Sequence, residues 1–201
     1  NIFNKKFNII EIHNRPEYFH ILFKKQLNVS YTLVFHNNPL ELIGSSSVND
    51  RLFILKNCKN VIFVSHWVKE QFFTGLSLTD KNNTFVISPG INPQKKLFKK
   101  DKLIIFAGKL NKSKGYNIFG NAVIKILNKY IDWQAVVVGA EPREDIKFFH
   151  SRLKVIGWQN HQKVLKLYKK ASISVVPSKW EEPFGRTAME SSAYGCLTII
   201  S

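Results

Sequence analysis

Short apolar runs of strand length recur along this chain, and stretches of helical spacing separate most of them. That alternation admits few architectures. A strand that is apolar on both faces needs helices above and below it, and the link between two parallel strands is long enough to hold one. In the first half the strand-like runs are Asn8–His13, Tyr31–His36, Val61–Val64 and Thr84–Ser88. Helices are expected to begin near Pro16, near Val48 and after Ser65, whose hydroxyl is placed to cap the run His66–Phe73. In the second half the strands are expected at Leu103–Ala107, Ala135–Gly139, Lys154–Ile156, Ser172–Val176 and Leu197–Ile200. Helices are expected at about Tyr116–Tyr130, Arg143–Ser151, His161–Lys170 and Gly185–Tyr194. The pattern is that of an α/β fold with doubly wound parallel sheets.

With 201 residues, 44% of them apolar, the chain can bury one large core or two small ones. The break Ser88-Pro89-Gly90-Ile91-Asn92-Pro93, followed by a charged and poorly periodic stretch, favours two. The linker is expected around residues 91–101, between domains spanning 1–92 and 93–201. Thirty Lys and Arg against 14 Asp and Glu give a formal charge of +16, which attracts phosphates, nucleic acid or anionic lipid without choosing among them. Solvated basic faces and a dedicated basic surface both remain open. Cys58 and Cys196 lack a Cys-x-x-Cys or His partner, which argues against a disulfide framework or a zinc site. No apolar run approaches the ~20 residues that span a bilayer. The start, Asn1 to Lys6, is neither a signal peptide nor an initiator Met, so a cytoplasmic chain truncated at both ends is expected.

Two segments carry candidate chemistry. Trp180-Glu181-Glu182-Pro183-Phe184-Gly185-Arg186-Thr187-Ala188-Met189-Glu190 follows a strand and opens a helix. Such a helix start presents unpaired N–H groups and a positive dipole end to an anion. Glu182 on the loop and Glu190 almost two turns into the helix can grip hydroxyls at opposite ends of an extended ligand. From spacing alone, a solvated loop acid and a helix-surface acid are the favoured reading. Phe106-Ala107-Gly108-Lys109-Leu110-Asn111-Lys112-Ser113-Lys114-Gly115 is again strand, polar loop and helix start. Gly108 permits a tight turn, and Lys109 and Lys114 can approach a diphosphate, although on these residues alone an exposed turn is the favoured reading.

Taken together these residues resemble the retaining GT-B glycosyltransferases, particularly glycosyltransferase family 4. Glu182 to Glu190, with Pro-Phe-Gly inside, is similar to the family's E-x7-E motif, and Ser191 to Ile200 is similar to its small-residue helix, Gly turn and following strand. Gly108 to Gly115 resembles the G-R-x4-K-G segment, with Lys109 where Arg is usual; the charge is kept and the bidentate fork is lost. Val155-Ile156-Gly157-Trp158, then Tyr168 and Ala171, resembles the base-side loop and its helix, and Tyr31–His36, Phe63-Val64-Ser65 and Ile87 to Asn92 occur in the family's order.

The resemblance implies two Rossmann-like domains facing a cleft, both incomplete here. It implies a nucleotide diphosphate sugar as donor, with no further cofactor and no nucleic-acid partner. The acceptor would be a saccharide or a lipid-linked molecule of envelope polysaccharide or lipopolysaccharide synthesis. Glu190 would bind ribose hydroxyls, Glu182 hydroxyls of the transferred sugar, and Lys109 and Lys114 the diphosphate, helped by the amides of Phe184 and Gly185. Gly157 and Trp158 would lie beside the base. His36 matches a histidine facing the donor sugar, and His13-Asn14-Arg15-Pro16 would stand on the same edge. No Asp-x-Asp or metal-ligand spacing occurs, and the lysines can supply the needed charge, so metal independence is expected. The basic charge and the aromatics of Tyr18–Phe23, read as exposed, suit docking on the inner face of a membrane. A GT-B epimerase of nucleotide sugars, a non-catalytic sugar-nucleotide-binding relative and a basic nucleic-acid-binding protein are the competing readings.

Overall fold

The computed structural model of the chain describes residues 7–78, 81–92, 94 and 98–201. The chain divides into two compact units, Asn1–Pro89 and Gly90–Ser201. The start Asn1–Lys6, Pro93 and linker residues 95–97 lie outside the described residues.

In the first unit β1 (Ile9–His13), β2 (Ser30–Phe35), β3 (Asn60–Phe63) and β4 (Thr84–Val86) lie parallel in sequential order. Helices α1 (Pro16–Phe23), α2 (Val48–Asn57) and α3 (His66–Phe73) connect them. Tyr31 to Phe35 are buried without interruption, as a strand covered on both faces requires. Ser65 Oγ accepts the amide of Val68 at 3.2 Å and Ser47 Oγ that of Asp50 at 3.1 Å, so both helix starts are capped by side chains. Phe35, Phe63 and Phe72 pack with ring centroids 5.8, 5.3 and 5.1 Å apart. Buried Arg51 donates to the Phe72 carbonyl at 2.9 Å, satisfying an acceptor in the last turn of α3. The reading of Tyr18–Phe23 as exposed needs correction. Phe19 is fully buried against Tyr31 and Phe53, because helical spacing turns it to the core while Tyr18 and Ile21 point outward.

In the second unit β5 (Asp101–Ala107), β6 (Gln134–Val138), β7 (Leu153–Val155), β8 (Ala171–Val176) and β9 (Leu197–Ile200) form a parallel sheet in the order β7-β6-β5-β8-β9. The connecting helices are α4 (Tyr116–Lys129), α5 (His161–Lys170) and α6 (Arg186–Ala193). Alternation along β5 sends Ile104 and Phe106 to one face, against Tyr116, Phe119, Val123 and Leu127 of α4. Ile105 faces the other side with Val136, Val138, Tyr168 and Cys196. The strand order reverses between β5 and β8, and sheets of this kind open a crevice at that point, beyond the carboxyl ends of the strands.

The expected helix at Arg143–Ser151 does not form; the segment is an irregular loop. Ile146 and Phe148, two residues apart, both pack against the α4 side of the core, which is the spacing of extended chain and not of a helix. The Phe148 ring lies over Gly120, where an added Cβ would sit 2.1 Å from the ring, and meets Tyr116 edge-on at 5.4 Å. Phe148→Ala should therefore cost about 2 kcal/mol in denaturant unfolding. Phe149→Ala, at a residue 82% exposed, should stay within about 0.5 kcal/mol. Equal costs would place Phe148 outside the core.

Candidate functional site

The crevice between β5 and β8 is built by two loops locked together. The β5 loop ends at Gly115, whose left-handed φ of 69° lets α4 begin directly against the β8 loop. A Cβ at Gly115 would fall 1.7 Å from the carbonyl oxygen of Pro177, so no other residue fits this approach. The Ser113 carbonyl accepts the amides of Lys179 at 2.8 Å and Trp180 at 3.3 Å. A comparable contact lies on the other side of β5, where a Cβ on Gly139 would meet the Gly108 carbonyl oxygen at 1.8 Å.

These contacts bring Lys114 to Glu182, 68 positions later in the chain. The Lys114 ammonium donates to Glu182 Oε1, and Ser178 Oγ donates to the same oxygen at 2.8 Å. The ammonium also stands 5.2 Å from the Trp180 ring centroid. Partial burial disfavours the Glu182 carboxylate, but the Lys114 and Ser178 hydrogen bonds outweigh it and hold the carboxyl below its ordinary range. Glu182 is thus ionised at neutral pH. Beside it a groove of about 550 Å³ is lined by Trp180, Glu182, Phe184, Gly185, Ala188 and Met189, among others. Gly185, at φ 74°, starts α6 with no side-chain cap, leaving first-turn amides unpaired by a capping side chain.

Glu190 is 9% exposed, and its Oε1 lies 3.1 Å from His161 Nε2 and 3.2 Å from Arg186 Nη2. Those two contacts both fall on Oε1 and fill two of the roughly four acceptor positions, so the carboxylate keeps capacity for hydroxyl donors. Gly108, Gly139 and Gly157 cluster on the far side of β5, where the Gly139 amide donates to the Gly157 carbonyl at 2.9 Å. Trp158, next to Gly157, is 74% exposed. Lys109 is exposed on this side and contributes to the field that, with the Arg143 hydrogen bonds acting first, holds Glu141 at about 2. Lys114 joins Glu182, while Lys109 is exposed and adds the smallest of the contributions that lower the Glu141 carboxyl.

His36 belongs to the first unit, immediately after β2, with its ring on that of His13 at the end of β1. Both stand at the carboxyl edge of their sheet.

Sequence reasoning missed Ser178, His161, Arg186 and Glu141. Arg186 was legible, since it precedes Glu190 by one helical turn. The pairing of His161 with Glu190 joins the start of α5 to α6 and left no local signal.

The family model described as glycosyl transferases group 1 matches residues 89–201, more than half of the chain. Among curated proteins, the chain is 29% identical over 164 residues to an uncharacterized glycosyltransferase of Methanocaldococcus jannaschii, covering 70% of this chain and 42% of that one. It is 28% identical over 182 residues to a second from the same organism, covering 86% and 49%. The chain thus spans about half the length of these relatives. Among solved structures, Anabaena HepE in complex with UDP superposes with a TM-score of 0.75 at 15% identity, over 96% of this chain and 59% of that one. This likeness shows a shared fold, the parallel-sheet α/β units of the GT-B type.

Proposed function

The chain belongs to the glycosyl transferases group 1 family, and from that premise we propose that the full protein is a retaining glycosyltransferase working from a nucleotide diphosphate sugar. The reading rests above all on Lys114 and Glu182, drawn together at the β5/β8 crevice inside the segment that matches the family. HepE, which shares the fold, was solved with UDP and with UDP-glucose.

In this reading the diphosphate lies over the start of α6, where the amides of Phe184 and Gly185 and the positive helix end are already oriented toward it. Lys114 spends one of its three N–H donors on Glu182 and keeps others for phosphate oxygens. Glu190 takes ribose hydroxyls, and Gly157 and Trp158 flank the base. Lys109 adds long-range attraction from its exposed position. Glu182 accepts hydroxyls of the transferred sugar, and its charge favours the positive character that grows at the anomeric carbon. The bond from that carbon to the phosphate oxygen breaks while the acceptor oxygen bonds to the same face. The acceptor's proton passes to the departing phosphate, so no enzyme nucleophile is needed and the two-carboxylate scheme of glycoside hydrolases does not apply. By the family resemblance His36 is proposed as a residue that meets the sugar. The proposal extends to metal independence, to a saccharide or lipid-linked envelope acceptor and to transient contact with an anionic membrane face. Among the described residues no helix is long and apolar enough to cross a membrane.

Lys114→Ala tests the site. Calorimetry on the full-length protein should show nucleoside diphosphate binding weakened about tenfold or more, and binding of the bare nucleoside changed by less than about twofold. Equal loss for both ligands would contradict a phosphate contact at Lys114.

A further inference from the structure

At the edge where β1 and β2 end, three side chains form an unbroken hydrogen-bonded chain. Glu11 and His13 are two apart on β1, so the pleat sends both to one face. Glu11 Oε1 lies 2.5 Å from His13 Nε2. The other ring nitrogen, His13 Nδ1, lies 2.9 Å from His36 Nε2, and the two imidazoles stack with centroids 5.2 Å apart and planes at 24°. The backbone fixes this pair as well. Asn14 adopts φ 55°, a turn that Asn tolerates, and its amide donates to the Val34 carbonyl at 2.8 Å. Its Oδ1 accepts the amides of His36 and Asn37, each at 3.1 Å.

We infer that Glu11 and His13 are positioning residues for His36, a relay that sets the plane of its ring. The inference rests on the reading of His36 as a residue that meets the sugar. An ionised carboxylate only accepts, so His13 presents Nε2–H to Glu11. In neutral His13 the Nδ1 atom is then an acceptor, and His36 donates to it from Nε2. A carboxylate thus orients a second histidine through a first, which extends by one ring the way a carboxylate orients a catalytic imidazole. The three groups follow one another in a line and do not converge on a point. Among the described residues no set of three such side chains is arranged to hold a metal ion.

The side chains of His13 and Glu11 are 52% and 55% exposed, so water competes with each link and the effect is moderate. In the full-length protein, Glu11→Gln should lower kcat about fivefold with the donor KM unchanged, because the relay orients a group without itself binding donor. In a His36→Ala background the same substitution should change nothing further, since the ring it orients is gone. Thermal melting of each variant reports its folding. Equal loss in both backgrounds, a change confined to KM, or an unchanged kcat in Glu11→Gln would overturn the relay and leave the nucleotide site standing. Full activity of His36→Ala would overturn both the placement of His36 and the relay. A wild type that releases no nucleotide from any donor would remove the transferase reading and the relay with it.

Discussion

Glu182→Gln in the full-length protein is expected to lose about a hundredfold in turnover while binding the nucleoside diphosphate product within about threefold of wild type. Glutamine keeps the shape and one acceptor oxygen but not the charge. The charge matters on two sides: it anchors Lys114 and Ser178, and in the proposed site it would face the sugar as positive character develops there. An interaction strengthened at the reacting end appears in kcat and is nearly silent in product affinity, since the product no longer carries the sugar. Glu190→Gln should behave differently. If Glu190 holds ribose, donor and product weaken together, by about ten- to a hundredfold for a hydrogen bond to a charged acceptor. Calorimetry with the product and a nucleotide-release assay separate the two patterns. Near-normal activity in both variants would remove the assigned roles.

Gly115→Ala should be, with Gly139→Ala, among the most destabilising single-methyl additions in the second unit. Its methyl group must displace the Pro177 carbonyl, 1.7 Å away, and its backbone must hold φ 69°. Strain and overpacking together come to about 3 kcal/mol or more, a fall in melting temperature of roughly 6–12 °C. Gly157→Ala provides the comparison, because Gly157 has a similar φ of 67° with nothing within 4 Å of the added carbon. It carries only the backbone cost, about 1 kcal/mol. Melting temperatures of the two variants that agree would mean the β5 and β8 loops do not approach as closely as described, and the crevice would lose its floor.

The strands and most helices were legible because each is a local pattern. The run Tyr31 to Phe35 announces a strand covered on both faces, and Ser65 before His66–Phe73 announces a cap. Failure came where tertiary contacts decide. Arg143–Ser151 has the composition of a helix, yet Ile146 and Phe148 reach the core by extended spacing, with Gly120 making room for the ring. Phe19 was read with its exposed neighbours because six residues of a helix show only part of its apolar stripe. In the candidate site, the loop glycines and acids stood out as residue types, but their partners did not. Trp180 reaches Lys114 only because two separate loops meet, Ser178 meets Glu182 within one loop of no regular period, and the Glu11–His13–His36 chain depends on the register of β1 against β2. The Glu11–His13 link lies within one strand, and the second spans 23 positions of sequence and needs the sheet.

The central claim, transfer of a sugar from a nucleotide diphosphate donor, is tested most directly by nucleotide release. The full-length protein would be assayed against a panel of nucleotide sugars, with envelope saccharide and lipid fractions as acceptors. The account predicts acceptor-dependent release of nucleoside diphosphate from at least one donor, lost in Glu182→Gln, with the product glycoside keeping the donor's anomeric configuration. Tight nucleotide binding with no release from any donor would contradict it and identify a binding protein; an inverted product would contradict the retaining mechanism.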